Sequence, residues 1–313
     1  MDTDTGQSRM PLQRLVLVML PLGAAAAMVS WPYLGRPEGR LSLGWMDDGS
    51  SSDRLLETLL ATDQVHAPEA QVGHRGNNRT DDADDTPKQN VRVALYRHFP
   101  VQSIEVRGHS RCRSRSRKTI KTIDMDQWTD STLNCTSDGI SGVFVNGKNF
   151  QGSVSVLRKS EGWLAINQVP MEHYVASVVG SEMPSQWAKE ALRAQAVAVR
   201  SYAWVHLVRP THQQFHLGDT ERWQVYRGRE SSTKETVQAA QSTAGQVLSF
   251  QGALVESLYA ATHEIAKQAH AHLGASMSQA GAQQLAQQGR TYTEILDWYY
   301  NGAELARIKR NGH

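Results

Sequence analysis

The sequence predicts an α+β domain of mixed strands and helices, set behind an apolar N-terminal segment and a flexible polar linker. Three observations lead there. Side chains alternate at the strand period in segments between Val91 and Val169, helical spacing of three and four takes over from Met171, and the stretch before Val91 carries too few apolar side chains to pack. The expected organisation is residues 1–35 as a signal or anchor, 36–90 as linker and 91–303 as the domain.

Arg9 and Arg14 precede an apolar run from Leu15 to Val29 that holds the small stretch Ala24–Ala27, with Trp31, Pro32 and Tyr33 behind it. A positive flank, an apolar core and small residues are what export machinery reads, and the run suits either a cleaved signal or a retained membrane anchor. Export predicts a location in the periplasm or on the wall side of the inner membrane. A short helix fits Ser52–Ala61. Residues 73–87 (GHRGNNRTDDADDTP) combine an acidic cluster with almost no apolar side chains, which predicts a linker that gives the domain reach.

Strand alternation marks Val91–Leu95 and Ser103–Val106, followed by a strongly basic stretch, Arg111–Lys121, read as a solvated loop or a surface for anionic polymers or membrane. Val143–Val145, Ser153–Leu157 and Trp163–Val169 read as strands, and Asn146-Gly147 as a hairpin turn. From Trp187 to Val205 apolar or small residues recur at helical spacing, with Pro184 in the first turn. So many alanines on one face imply a neighbour packed very close. A helix over Thr233–Thr243 ends at Gly245, and Gln246–Phe250 and Leu254–Tyr259 alternate like a hairpin. Met277–Gln288 reads as a helix stopped by Gly289, and Thr291 with Glu294 forms a capping box for the next, which runs to Tyr300.

Hydrophobic residues make up 40% and charged residues 20% of 313, which supports a sizeable core. The net charge of +2 gives no global field that would draw nucleic acid. Cys112 and Cys135 fit either one disulfide or two free thiols, and no histidine pattern accompanies them as a zinc site would require. His263, His270 and His272 with Glu264 match no compact metal spacing, so neither a metal nor a cofactor is expected.

The run Asn167–Tyr174 (NQVPMEHY), continuing through Ser181-Glu182-Met183-Pro184 to Glu190–Ala203 (EALRAQAVAVRSYA), resembles the SpoIID/LytB family of peptidoglycan-acting domains. Asp219 with Gln224–Gly228 resembles the family's D-x-x-x-x-Q-x-Y-x-G, Met277–Ala282 its M-S-Q-x-G-A, and Ile295–Tyr300 its closing I-L-x-x-Y-Y. The likeness is strongest over 154–300. Two places depart from it. Where the family has a zinc-linked Y-H-x-x-C, this chain reads Tyr259-Ala260-Ala261-Thr262-His263, and the histidine of a later G-H-G-x-G-M-S-Q motif is replaced by Leu273 or displaced to His272, with the intervening segment shortened.

The resemblance implies a protein that works on peptidoglycan glycan strands, as a lytic transglycosylase or as an enhancer of a separate cell-wall amidase. Such a lyase needs a proton on the leaving oxygen, and the sugar's own hydroxyl then attacks, so one acid suffices. Glu182 is the candidate acid, carried over from the family's S-E-M-P glutamate, and Glu172 is a weaker competitor. A glutamate just before a helix starting near Pro184 also reads as a complement to the helix dipole, which favours its charged form. Arg200, Asp219, Gln224, Tyr226, Ser278 and Gln279 are the expected substrate-binding residues. Each has a structural reading beside it: an ion pair for Arg200, a turn for Asp219, a helix cap for Ser278.

Overall fold

A computed structural model describes residues 88–114, 119–210, 212–267 and 276–308. The expected signal or anchor, most of the linker, the helix at Ser52–Ala61, His270 and His272 lie outside them. The chain runs β1 (Asn90–Ala94), β2 (Ser103–Val106), β3 (Arg111–Ser114), β4 (Thr119–Ile120), β5 (Thr122–Asp124), β6 (Leu133–Thr136), β7 (Val143–Val145), β8 (Lys148–Phe150), β9 (Ser153–Lys159) and β10 (Gly162–Pro170). Helices α1 (Met171–Glu182) and α2 (Lys189–Val208) follow, then β11 (Leu217–Gly218), α3 (Lys234–Ser242), β12 (Gln246–Phe250), β13 (Ala253–Leu254) and β14 (Leu258–Ala260). The last elements are β15 (Ser276–Ser278), α4 (Gln279–Gln287), α5 (Tyr292–Tyr299) and β16 (Glu304–Arg307).

Strands β11-β1-β10-β9-β6-β3-β4 form the largest sheet and β5-β2-β7-β8 a second one. Strand β10 lies between β1 and β9, antiparallel to both, and is buried from Trp163 to Asn167. It runs straight into α1 because Pro170 supplies the extended entry and has no N–H to leave unpaired. The β7–β8 hairpin turns on Asn146 and Gly147, at φ 46° and 79°, the left-handed pair that an Asn-Gly turn requires.

Helix α2 is buried on most of its circumference, from Ala191 to Ala203. Its alanines let α1, α3, α4, α5 and β12 all pack directly against it, which makes it the axis of the helical half. The helix begins at Lys189, later than the sequence suggests, because Pro184–Ala188 form a separate turn. One hydrophobic core joins the sheets to these helices.

Three further readings need correction. Arg111–Lys121 is a hairpin at the edge of the large sheet, with Cys112 opposite Ile120, and not a plain loop. The alternation over Leu254–Tyr259 spans two strands of different sheets, β13 beside β12 and β14 parallel to β15. The domain also runs past residue 303, since β16 pairs with β12.

Cys112 and Cys135 face each other across β3 and β6 and form a disulfide. Closing a loop with a sequence separation of 23 is worth roughly 3 kcal/mol by restricting the unfolded chain.

Candidate active site around Glu182

Glu182 is the last residue of α1, not the forerunner of α2. The dipole argument therefore reverses: a helix C-terminus carries partial negative charge and disfavours a carboxylate. Its side chain is half-buried. The Val225 backbone N–H donates to its Oε1 at 3.0 Å. Burial pushes the carboxyl above its ordinary range, and the Val225 N–H and the Gln279 amide pull it partly back. Glu221 adds a small push upward and Arg227 a small pull downward. The net direction is towards a carboxylic acid that keeps its proton to higher pH.

Gln279 is the predicted site residue that reaches Glu182. It opens α4 directly after β15, is buried, and its Nε2 has no hydrogen-bond partner by strict geometry while still acting electrostatically on the Glu182 carboxyl. Ser278 is the N-cap of α4, its hydroxyl accepting from the Gly281 N–H at 3.0 Å. That cap aims the first turn of α4 at Glu182.

The other predicted binders are buried supports. Gln224 accepts from the Tyr174 hydroxyl at 2.9 Å and donates to the Val199 carbonyl at 3.4 Å, so it fixes the loop whose next N–H caps Glu182. Tyr226 donates to Asn167 Oδ1 at 2.6 Å and stacks on Tyr174 at 5.3 Å. Asp219 accepts from the Arg97 N–H and holds the turn after β1, its carbonyl also taking the Tyr226 N–H. Burial raises its carboxyl to about 6.

Arg200 requires the largest correction. It is fully buried, its Nε donates to Glu172 Oε1 at 3.0 Å and its Nη2 to Oε2 at 2.5 Å, and the rest of the fork binds the carbonyls of Ala196, Ala240 and Gln246 and the Thr243 hydroxyl. No donor is left for a ligand. The same pair ties up Glu172 as a structural carboxylate and removes it as a rival acid.

Two tyrosines that the sequence reading left without a role complete the surroundings. Tyr174, fully buried, and Tyr259, half-buried, lie beside Glu182, and burial, with Glu182 as a lesser contributor, raises both hydroxyls well above their ordinary value. Their positions inside the resemblance motifs were the available signal. Trp223, half-buried on the loop that caps Glu182, stacks on Tyr96 at 5.7 Å and 6°. Among the described residues no three His, Cys, Asp or Glu side chains converge as a metal site. With Ala260 in place of the family histidine, the described residues do not assemble the zinc donor set.

The domain is a mixed α+β fold in which the half-buried Glu182 carboxyl is capped by a loop N–H. Residues 159–250 match the family model described as SpoIID, stage II sporulation protein, and this match, with relatives named stage II sporulation protein D and amidase enhancer, supports a likeness to the SpoIID/LytB family. The match takes in Glu182, Asp219 and Gln224 and stops before Gln279.

The chain is 28% identical over 147 residues to an uncharacterized protein of Brachyspira hyodysenteriae, covering 47% of this chain and 39% of that one. It is 30% identical over 113 residues to stage II sporulation protein D of Bacillus subtilis, covering 31% and 33%. It is 36% identical over 86 residues to the amidase enhancer of the same organism, covering 28% and 11%. The aligned stretch thus spans well under half the length of each of these relatives.

Proposed function

We propose that the domain is a lytic transglycosylase of cell-wall glycan, cleaving MurNAc–GlcNAc bonds on the outer side of the membrane with Glu182 as its acid. The observation that carries this reading is the environment of Glu182: a half-buried carboxyl at a helix C-terminus, raised by burial against only a small opposing pull from Arg227. A general acid at neutral pH needs such an upward shift.

Glu182 gives its proton to the oxygen between the sugars, and the bond from C1 to that oxygen breaks. The C6 hydroxyl of the same sugar attacks C1 and returns its proton to Glu182, leaving a 1,6-anhydro end. No second carboxylate is required, which agrees with the engagement of Glu172 by Arg200. Trp223 offers a ring on which a sugar can stack, on the loop that caps the acid.

The test is incubation of the wild-type chain and Glu182→Gln with glycan strands stripped of peptides, read by mass spectrometry. Anhydro ends from wild type and none from the variant are expected. Anhydro ends from both proteins would remove Glu182 from the chemistry. The second reading is a non-catalytic peptidoglycan-binding module that stimulates a separate wall amidase. The amidase-enhancer relative and the loss of the family histidine at Ala260 favour it. It predicts that both proteins sediment with strands and that neither cleaves them. Among the described residues no helix is long and apolar enough to cross a membrane.

A further inference from the structure

The strands of the large sheet turn alternate side chains to opposite faces. Val93, Cys135, Val154 and Asn167 look into the core, where Asn167 receives the Tyr226 hydroxyl of the loop that caps Glu182. Their neighbours look out on the other face, and the strand register lines them up in two rows. One row runs Arg111, Thr136, Ser153, Gln168 and Arg92 across β3, β6, β9, β10 and β1. The next runs Arg113, Asn134, Ser155 and Ile166. Neighbouring strands lie about 4.8 Å apart, so Arg111 and Arg92 stand about 19 Å apart at the two ends of the first row.

Gln213 and Gln214, just before β11, join Arg92, Ser153, Ser155 and Gln168 around a groove of about 320 Å3 above these rows, with Leu157 and Ile166 as its apolar part. No Asp or Glu stands in either row or lines the groove. Among the described residues Arg92, Arg111 and Arg113 form no ion pair. The Nε of Arg92 donates to His216 Nε2 at 3.2 Å, which orients the guanidinium without neutralising it. Asp138, two residues beyond Thr136, is already taken by the N–H groups of His109, Ile140 and Ser141. The side chains of Asn134, Thr136, Ser153, Ser155 and Gln168 enter no hydrogen bond among the described residues.

The face thus offers guanidinium groups at its two ends and neutral amides and hydroxyls between them. A polymer with a phosphate at every link would meet no cation over the middle of the row. A peptide-free glycan strand fits better: its lactyl carboxylates are widely spaced, with hydroxyl and acetamido groups between them. Guanidinium forks take carboxylates bidentately, and amides and hydroxyls pair with the neutral groups. We propose that the outer face of the seven-stranded sheet is a second glycan-binding surface, holding a peptide-free strand from β3 to β1 on the side opposite to the helices. The inference rests on the reading of the chain as a protein of wall glycan. Such a surface keeps the domain on the wall while the Glu182 side stays free to engage another strand.

Fluorescence anisotropy of labelled peptide-free strands, long enough to span the face, tests this on the full chain, with Glu182→Gln as the background that keeps the strands intact. Arg111→Gln combined with Arg113→Gln is one variant and Gln168→Glu the other. All three side chains are exposed, so the core is left alone. The two sites lie three strands apart, about 14 Å. Each variant should weaken strand binding at least about fivefold, with the thermal midpoint unchanged. Binding that either variant leaves unchanged would overturn the proposal and leave the Glu182 reading intact. Absence of strand binding by every form would overturn it too, and with no anhydro ends from wild type the wall-glycan reading would go as well. Inorganic polyphosphate is the competing probe. If it binds more tightly than the strands, and the double variant abolishes that binding, the face belongs to a phosphate polymer and the choice of glycan is wrong.

Discussion

The two ends of α1 each carry a glutamate, and the fold treats them in opposite ways. Glu172, in the first turn, meets a fully buried guanidinium through two hydrogen bonds and becomes part of the scaffold. Glu182, in the last turn, meets one backbone N–H, an amide, the buried Tyr174 and the half-buried Tyr259. A carboxylate at the N-terminal end of a helix is also favoured by the dipole, and one at the C-terminal end is not. The same residue type therefore serves stability at one end and, at the other, is left with a raised affinity for its proton.

The sharpest way to break this contrast is Glu172→Gln. It leaves the Arg200 charge buried without its counter-ion, and removing one member of such a pair costs about 3–5 kcal/mol. Urea unfolding should show that loss in the midpoint with the slope unchanged. A loss under 1 kcal/mol would mean that the pair is not the link between α1, α2 and α3 described here.

Asp219 sharpens the comparison from the loop side, as a second carboxyl that burial raises, to about 6. Because its folded value lies above its unfolded one, its contribution is fully present below about pH 4. It is lost as pH rises to about 6, amounting to at most about 3 kcal/mol. Asp219→Asn should flatten that part of the stability-versus-pH curve and leave the plateau above pH 7 higher. An unchanged curve would show that Asp219 does not titrate in this window.

Much of the scaffold on which these carboxyls sit was legible in the sequence. The change of period at Met171, the Asn146-Gly147 turn and the cap at Thr291 each depend on local chemistry, which a linear reading sees. The Cys112–Cys135 pairing stayed open because it needs the β3–β6 register. The ion pair was one of two readings open for Arg200, and its partners stayed unnamed for a related reason: helical spacing tells which face is buried but not that Glu172 and the end of α3 meet there. Glu182 could be picked out from its motif. Its environment could not, because Val225, Gln279 and Tyr259 come to it from distant parts of the chain. Periodicity misled where one alternating run, Leu254–Tyr259, fed two sheets.

Gly180 lies between the two ends of α1. A Cβ there would stand 1.9 Å from the Ser231 carbonyl oxygen, a backbone atom that cannot swing away. Gly180→Ala gains about 1 kcal/mol of helix propensity but forces the 228–232 loop outward, and overpacking of that kind costs about 1–3 kcal/mol. A net loss of up to about 2 kcal/mol is expected in thermal or urea unfolding. A net gain would show that the loop yields freely.

The smallest effect on stability is expected at the residue assigned the chemistry. Gln has the shape of Glu, and its Oε1 can still accept from the Val225 N–H, so Glu182→Gln removes a charge that the site disfavours while keeping the bond it holds. The folded carboxyl is raised, which means that the wild-type protein gives up stability as pH rises through that group, whereas the variant gives up none. The variant should therefore lie within about 1 kcal/mol of wild type at pH 7, on the stable side, with the difference vanishing below pH 4. A variant destabilised by as much as Glu172→Gln would erase the distinction between the two ends of α1 and make Glu182 another strut.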